Sequence, residues 1–270
     1  MITDTRVKEI IRKWYLALKF DTVYDIEFER ALEEVYVDPS AVAENYNKDD
    51  ADGRKNFLYY LYFCEALQAA YREKGISDEI FWDNLGDLKA WFDVWSKLKG
   101  ELYLGEVPWL WYTFTLRIIK LGRLQFKPMV LQDDVSEAGL KSGDCVLDIH
   151  IPARGALTTD ECLASLDFAR KFFSEYYPDF DYKCFVCYSW LLDTGLSDLL
   201  GEGSNILGFQ RLFNVVKLKP ATSTLDFVLR WRIDRTTVKD FECKTSLQHK
   251  VKAAYLSGRQ FMLGYGVIRK

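Results

Sequence analysis

Apolar side chains recur every three to four residues through the first 120 positions, the spacing that lines one face of a helix. Val7, Ile10, Ile11, Trp14 and Leu18 predict one helix, and Ile26, Phe28, Leu32 and Val35 a second. From Asn56 to Glu73 the apolar character runs almost all the way round, which predicts a central buried helix. Ser77, a good N-cap, precedes Phe81, Leu85, Leu88, Phe92 and Trp95 on one face, and Gly100 is placed to stop that helix. Pro108 opens a last helix expected to reach Ile119.

The period changes near Leu121. Leu124 and Phe126 alternate with Arg123, Gln125 and Lys127, a strand that Pro128 is expected to limit. Cys145 to Ile151, Tyr182 to Ser189, Leu225 to Ile233 and Phe261 to Ile268 predict four further strands. Helical stretches are expected over 160–176, 193–200, 204–214 and 245–257. Strands alternating with helices predict an α/β sheet, so the chain divides into a helical region, 1–120, and an α/β region, 121–270.

Composition narrows the function classes. With 49% hydrophobic and 28% charged residues the chain is an ordinary globular one. It contains no apolar run of about 18 residues, so no membrane helix is expected. The charged N-terminus does not read as a secretory signal. Six cysteines are scattered without the density of a disulfide scaffold, which predicts a cytoplasmic protein with reduced thiols. The net charge of −4 argues against a general nucleic-acid binder. Residues 217–270, however, carry 12 basic and 4 acidic side chains. That surplus either complements the acidic remainder of the chain or faces an anionic ligand, nucleic acid or acidic protein being the least favoured case. The aromatic share of 16% implies large buried side chains or a large apolar groove.

The most informative stretch runs from Asp148 to Glu161. A strand enters a turn, Pro152 to Thr159, and a helix follows, with Thr158 and Glu161 at the spacing of a capping box. Unsatisfied N–H groups and the positive end of the helix dipole gather at such a point, Gly155 permits a tight turn and Arg154 adds a charge. A phosphate or pyrophosphate is one expected occupant, although most strand–helix connections bind nothing. His150, on the strand with Asp148 two residues earlier on the same face, is a candidate base or a buried hydrogen-bonding histidine. His249 is expected at the surface of a helix. Cys184 and Cys187 have C-x-x-C spacing, but on a strand they point to opposite faces and no second pair completes a zinc site. No metal is expected. Tyr188 and Ser189 end a strand, where ligand crevices of α/β sheets lie. Gly201 to Asn205 reads as punctuation between helices, since no strand precedes it.

Taken together, LGRLQF (121–126), His150-Ile151-Pro152 followed by Gly155-Ala156-Leu157-Thr158, CYSWLL (187–192) and SNILGFQRLF (204–213) give this chain a resemblance to two-domain GNAT-like N-acyltransferases. In these a helical N-terminal domain precedes a GNAT-like mixed sheet flanked by helices. The resemblance implies transfer of an acyl group from acetyl-CoA or another acyl-CoA to an amine, on a small molecule or a peptide. It implies that Ile149, Ile151 and the backbone of Arg154, Gly155, Ala156, Leu157, Thr158 and Thr159 meet the cosubstrate, with Asn205 near its pantetheine arm. His150, helped by Asp148, is then the candidate base, and Ser189 or Tyr188 stands near the leaving thiolate. The helical domain and its aromatic residues would shape the acceptor pocket. Two departures are visible: the superfamily loop pattern Q/R-x-x-G-x-G/A becomes Arg154-Gly155-Ala156-Leu157, and Asp148 and His150 stand where the strand usually carries a glutamate. A non-catalytic ligand sensor or protein-interaction module on the same fold is the alternative reading.

Overall fold

The computed structural model describes residues 4–46, 52–229 and 233–270. They fall into two compact units, 1–120 and 121–270.

The first unit is helical. Helices α1 (Asp4–Leu18), α2 (Asp25–Glu34), α3 (Gly53–Glu73), α4 (Asp78–Lys99) and α5 (Val107–Phe114) follow the apolar stripes. Val7, Ile10, Ile11, Trp14 and Leu18 are buried, as the spacing requires. On α2 the buried set is Phe28, Ala31 and Leu32, and Ile26 is exposed. Helix α3 is buried around most of its first three turns, where Phe57, Leu58, Tyr60, Leu61 and Cys64 are fully enclosed. Aromatic rings supply much of this core: Tyr15 stacks on Phe28 at 3.7 Å and Phe57 on Phe92 at 4.3 Å. Ser77 caps α4 by accepting from Ile80 N–H, and Gly100 ends it in the left-handed conformation. Helix α5 stops at Phe114, short of the expected Ile119, because the chain turns into a strand there.

The second unit is built on a six-stranded mixed sheet in the order β1-β2-β3-β4-β6-β5, whose short first strand straddles the unit boundary. Its strands are β1 (Ile119–Leu121), β2 (Leu124–Val130), β3 (Cys145–His150), β4 (Cys184–Ser189), β5 (Asn214–Pro220) and β6 (Met262–Arg269). Helices α6 (Thr159–Tyr176), α7 (Asn205–Gln210), α8 (Ser223–Val228) and α9 (Ser246–Leu256) complete it. Three expectations are corrected. Pro128 does not end its strand, because β1 is only three residues long and Pro128 needs no ladder bond on that outer side. Residues 225–228 are helical rather than extended: Leu225, Val228 and Leu229 are buried at i, i+3 and i+4, while Phe227 is 56% exposed. The last part of that expected strand, 230–232, lies outside the described residues. The stretch expected to be helical to residue 214 is helical only over Asn205–Gln210, and Asn214–Pro220 forms the edge strand β5.

Side-chain alternation gives the sheet two distinct faces. Phe126, Leu147, Ile149 and Phe185 share one, where Phe126 meets Phe185 at 5.7 Å and Arg170 of α6 lies over the Phe185 ring. On the other, Val146, Cys184, Val186 and Val267 pack with Leu131, Ala138 and Leu140. Helix α6 is tied to the β1–β2 hairpin by one buried hydroxyl. Ser165 Oγ accepts from Leu124 N–H at 3.0 Å and donates to the Leu121 carbonyl. Ser165→Ala leaves both backbone groups buried without a partner and is expected to cost about 1–3 kcal/mol, read as a lower urea midpoint at constant m-value.

Candidate functional site

Strands β3 and β4 run parallel, and their paired register covers only Leu147–Phe185 and Asp148–Val186. Both strands continue, to His150 and to Ser189, beyond the last of these pairs. The paired register therefore ends before either strand does, and the residues beyond it have no ladder partner across that gap. A crevice at the C-terminal ends of parallel strands is where ligands of α/β sheets bind.

The turn Pro152 to Thr158 forms one wall. Gly155 has φ +90°, a conformation that a side chain strains. The carbonyls of Gly155 and Ala156 both accept from the guanidinium of Arg123, at 3.3 and 2.7 Å. Within the described residues no acceptor takes the N–H of Gly155, Ala156 or Leu157. Thr158 caps α6: its hydroxyl accepts from Glu161 N–H at 3.3 Å and donates to the Glu161 carboxylate at 2.6 Å. Only half of the expected capping box forms, since Glu161 holds the Thr158 hydroxyl rather than the Thr158 N–H. Arg154 is exposed, Leu157 is buried and anchors the turn, and Thr159 opens the helix.

Helix α7 approaches this wall closely. A Cβ at Gly208 would stand 2.5 Å from Thr159 Oγ1, so glycine lets the two helices touch. Ser204 caps α7, and Asn205, its first residue, is exposed. On the other side Gln210 donates to the Leu191 and Asp193 carbonyls, both at 2.8 Å, fixing α7 to the segment that leaves β4.

A row of polar side chains crosses the sheet at the level of the crevice. Gln125 on β2 pairs with His150, and Tyr188 on β4 pairs with Tyr265 on β6. Asp148 stands one pleat below His150, with its Oδ2 2.9 Å from His150 Nε2, a distance for charge pairing once the imidazole is protonated. The two side chains are 16% and 30% exposed, shielded yet reachable. Tyr188 is half exposed, whereas the Tyr265 hydroxyl is buried and has no hydrogen-bond partner within the described residues. Burial, with Cys184, Asp148 and Cys187 nearby, pushes the Tyr265 phenol up to about 12, so it remains a proton donor at neutral pH. Ser189 is committed as the cap of the 3₁₀ turn Trp190–Leu192, accepting from Leu191 N–H at 3.2 Å. Ile149 is buried behind β3 and Ile151 is half-buried just past its end.

Other candidates contribute no thiolate and no metal ligand set. Cys187 is fully buried and its thiol is pushed well up, and burial lifts Cys162 to about 11, so neither is a thiolate. All six cysteines are free, including Cys184 and Cys187. His249 is exposed on α9. Among the described residues no group of three or more His, Cys, Asp or Glu side chains is placed to hold a metal. Sequence reasoning missed two residues beside the candidate site, Arg123 and Tyr265. Only the strand order brings Tyr265 beside Tyr188, and Arg123 reaches the turn from a hairpin 32 residues away.

Residues 3–116 match the N-acyltransferase N-terminal domain family, and residues 118–268, more than half of the chain, match the GNAT-like C-terminal domain family. The chain belongs to the GNAT-like N-acyltransferases. Solved structures agree on the fold. An acyltransferase in complex with decanoyl-CoA and teicoplanin superposes with a TM-score of 0.73 at 22% identity, covering 98% of this chain and 85% of that one. An acyltransferase with CoA and 10C-teicoplanin gives 0.71 at 21% identity, with the same coverage. A third, with decanoyl-CoA, gives 0.71 at 23% identity over 95% of this chain and 82% of that one. Comparison with curated proteins gave no match. For an N-acyltransferase, the crevice between β3 and β4 and the turn beside it are the features that need a chemical account.

Proposed function

We propose that this chain transfers an acyl group from acetyl-CoA or a longer acyl-CoA to a small-molecule or peptide amine, and that β3, β4 and the turn 152–158 form the cosubstrate site. The carrying observation is the early end of the β3–β4 register beside a turn with three uncommitted N–H groups. Those donors, reinforced by the start of α6, suit a pyrophosphate. The edges of Ile149, Ile151 and Tyr188 beyond that register suit the amides of a pantetheine arm, with Asn205 at the mouth. The complexes of related folds with decanoyl-CoA and teicoplanin favour a small-molecule acceptor.

The chemistry is modest. An amine nitrogen bonds to the thioester carbonyl carbon, the carbon–sulfur bond breaks, the ammonium proton must leave, and the thiolate must gain a proton. His150 is assigned as proton acceptor, its imidazolium stabilised by Asp148 at 2.9 Å. Tyr188, half exposed at the end of β4, is assigned to the thiolate side. Ser189 retains a hydroxyl proton for the same region, although its oxygen is engaged as a cap. The two units are taken as the domains 1–120 and 121–270. Six free thiols fit a reducing, cytoplasmic setting. No described helix is long and apolar enough to cross a membrane.

The test is thiol release. With acetyl-, octanoyl- and decanoyl-CoA and a panel of primary amines, acceptor-dependent appearance of free CoA thiol is expected. Binding of CoA without acceptor-dependent release across the panel would replace this reading by the ligand-sensor one.

A further inference from the structure

Arg123 sits where elementary electrostatics disfavours a cation. Its side chain reaches from the β1–β2 turn to the underside of the turn that leads into α6. It is only partly exposed, its Nη1 is buried without a hydrogen-bond partner among the described residues, and desolvation depresses its pKa. A helix N-terminus is the positive end of the dipole, so a guanidinium nearby is repelled. The counter-charge within reach is Glu161, and that carboxylate is already held by the Thr158 hydroxyl. Such an arrangement persists where something else compensates it.

The hydrogen bonds indicate what the arrangement achieves. Arg123 Nε takes the Ala156 carbonyl at 2.7 Å and Nη2 takes the Gly155 carbonyl at 3.3 Å. In a planar trans peptide the carbonyl of one residue and the N–H of the next point in opposite directions. Holding those two carbonyls inward therefore turns the N–H groups of Ala156 and Leu157 outward, donors that no acceptor takes among the described residues. Ser165 fixes the hairpin to α6 through Leu121 and Leu124, on either side of Arg123, so the fork cannot drift from the turn. We propose that Arg123 is a positioning residue for the anionic part of the cosubstrate: its guanidinium clamps the turn from behind, aims two N–H groups at the pyrophosphate and adds a second positive charge to that of Arg154. The inference rests on the acyl-CoA reading of the same turn. It assigns a positioning role to an arginine from outside the turn, beside the charge that Arg154 was expected to add.

The experiment compares CoA with S-acetyl-pantetheine, which has no pyrophosphate, on the full chain and on Arg123→Met and Arg123→Lys. Arg123→Met is expected to weaken CoA binding at least about tenfold while pantetheine thioester binding stays within about twofold. Arg123→Lys, which keeps the charge and loses the two-carbonyl fork, should fall between. A purely structural role would lower both affinities together, or lower the melting temperature without separating them. Equal CoA affinity in Arg123→Met and the parent overturns the proposal, as does a parallel loss for both ligands. If the parent binds no CoA, the acyl-CoA reading has failed and the clamp with it. If Arg123→Met does not fold, the parent decides: inorganic pyrophosphate should move the amide resonances of Ala156 and Leu157, and unmoved resonances reject the proposal.

Discussion

Gly155→Asp is expected to weaken acyl-CoA binding by about two orders of magnitude, close to 2.7 kcal/mol. Three effects act in one direction. With φ at +90°, any side chain strains the turn and shifts the uncommitted N–H groups. A new Cβ would lie 3.7 Å from Arg123 Nε, so the carboxylate would reach the guanidinium and cancel its charge. The same carboxylate would repel a pyrophosphate. Gly155→Ala isolates the first effect and is expected to lose less. Because the residue is exposed, folding should suffer only by the backbone strain, about 1–3 kcal/mol, so circular dichroism and a melt separate misfolding from lost binding. CoA affinity unchanged in Gly155→Asp would remove the turn from the site.

His150→Ala is expected to lower turnover about 10²- to 10⁴-fold, the range for loss of a general base, while acyl-CoA affinity changes little. The imidazole borders the crevice, and the proposed donors for the cosubstrate are backbone groups, so binding and chemistry should come apart. Asp148→Asn keeps the shape but removes the charge 2.9 Å from His150 Nε2 and should give a smaller loss in the same parameter. Parent-like turnover in His150→Ala under single-turnover conditions would exclude it as the base. Tyr188 and Tyr265, next in the same row, would then be the residues to vary.

Much of the fold is legible in the sequence. The helical stripes of the first unit fix their own burial, because Val7, Ile10, Ile11, Trp14 and Leu18 can share a face only at the helical period. The turn with Gly155 and the cap at Thr158 are local signals, and both are present. The misreadings also have local causes. Leu225, Phe227 and Leu229 alternate, yet Leu225, Val228 and Leu229 also fit a helix, and packing around Leu196, Val238 and Val251 selects the helix. Strand β5 lies at the sheet edge with mostly exposed residues and an irregular register near Val215 and Lys217, so it lacks the alternation that marks a strand. Arg123 and Tyr265 escaped for a different reason. Their roles depend on which strand lies beside which, and that order is not encoded in any short segment.

Everything proposed for the crevice between β3 and β4 depends on its taking a CoA thioester. Calorimetric titration of the 270-residue chain with CoA and with acetyl- and decanoyl-CoA measures this binding. The expected result is saturable heat at one site per chain, weakened in Gly155→Asp and in Arg123→Met. Absence of heat and of any thermal shift up to about millimolar ligand, corresponding to less than about 4 kcal/mol of binding, would rule out a CoA site in this crevice.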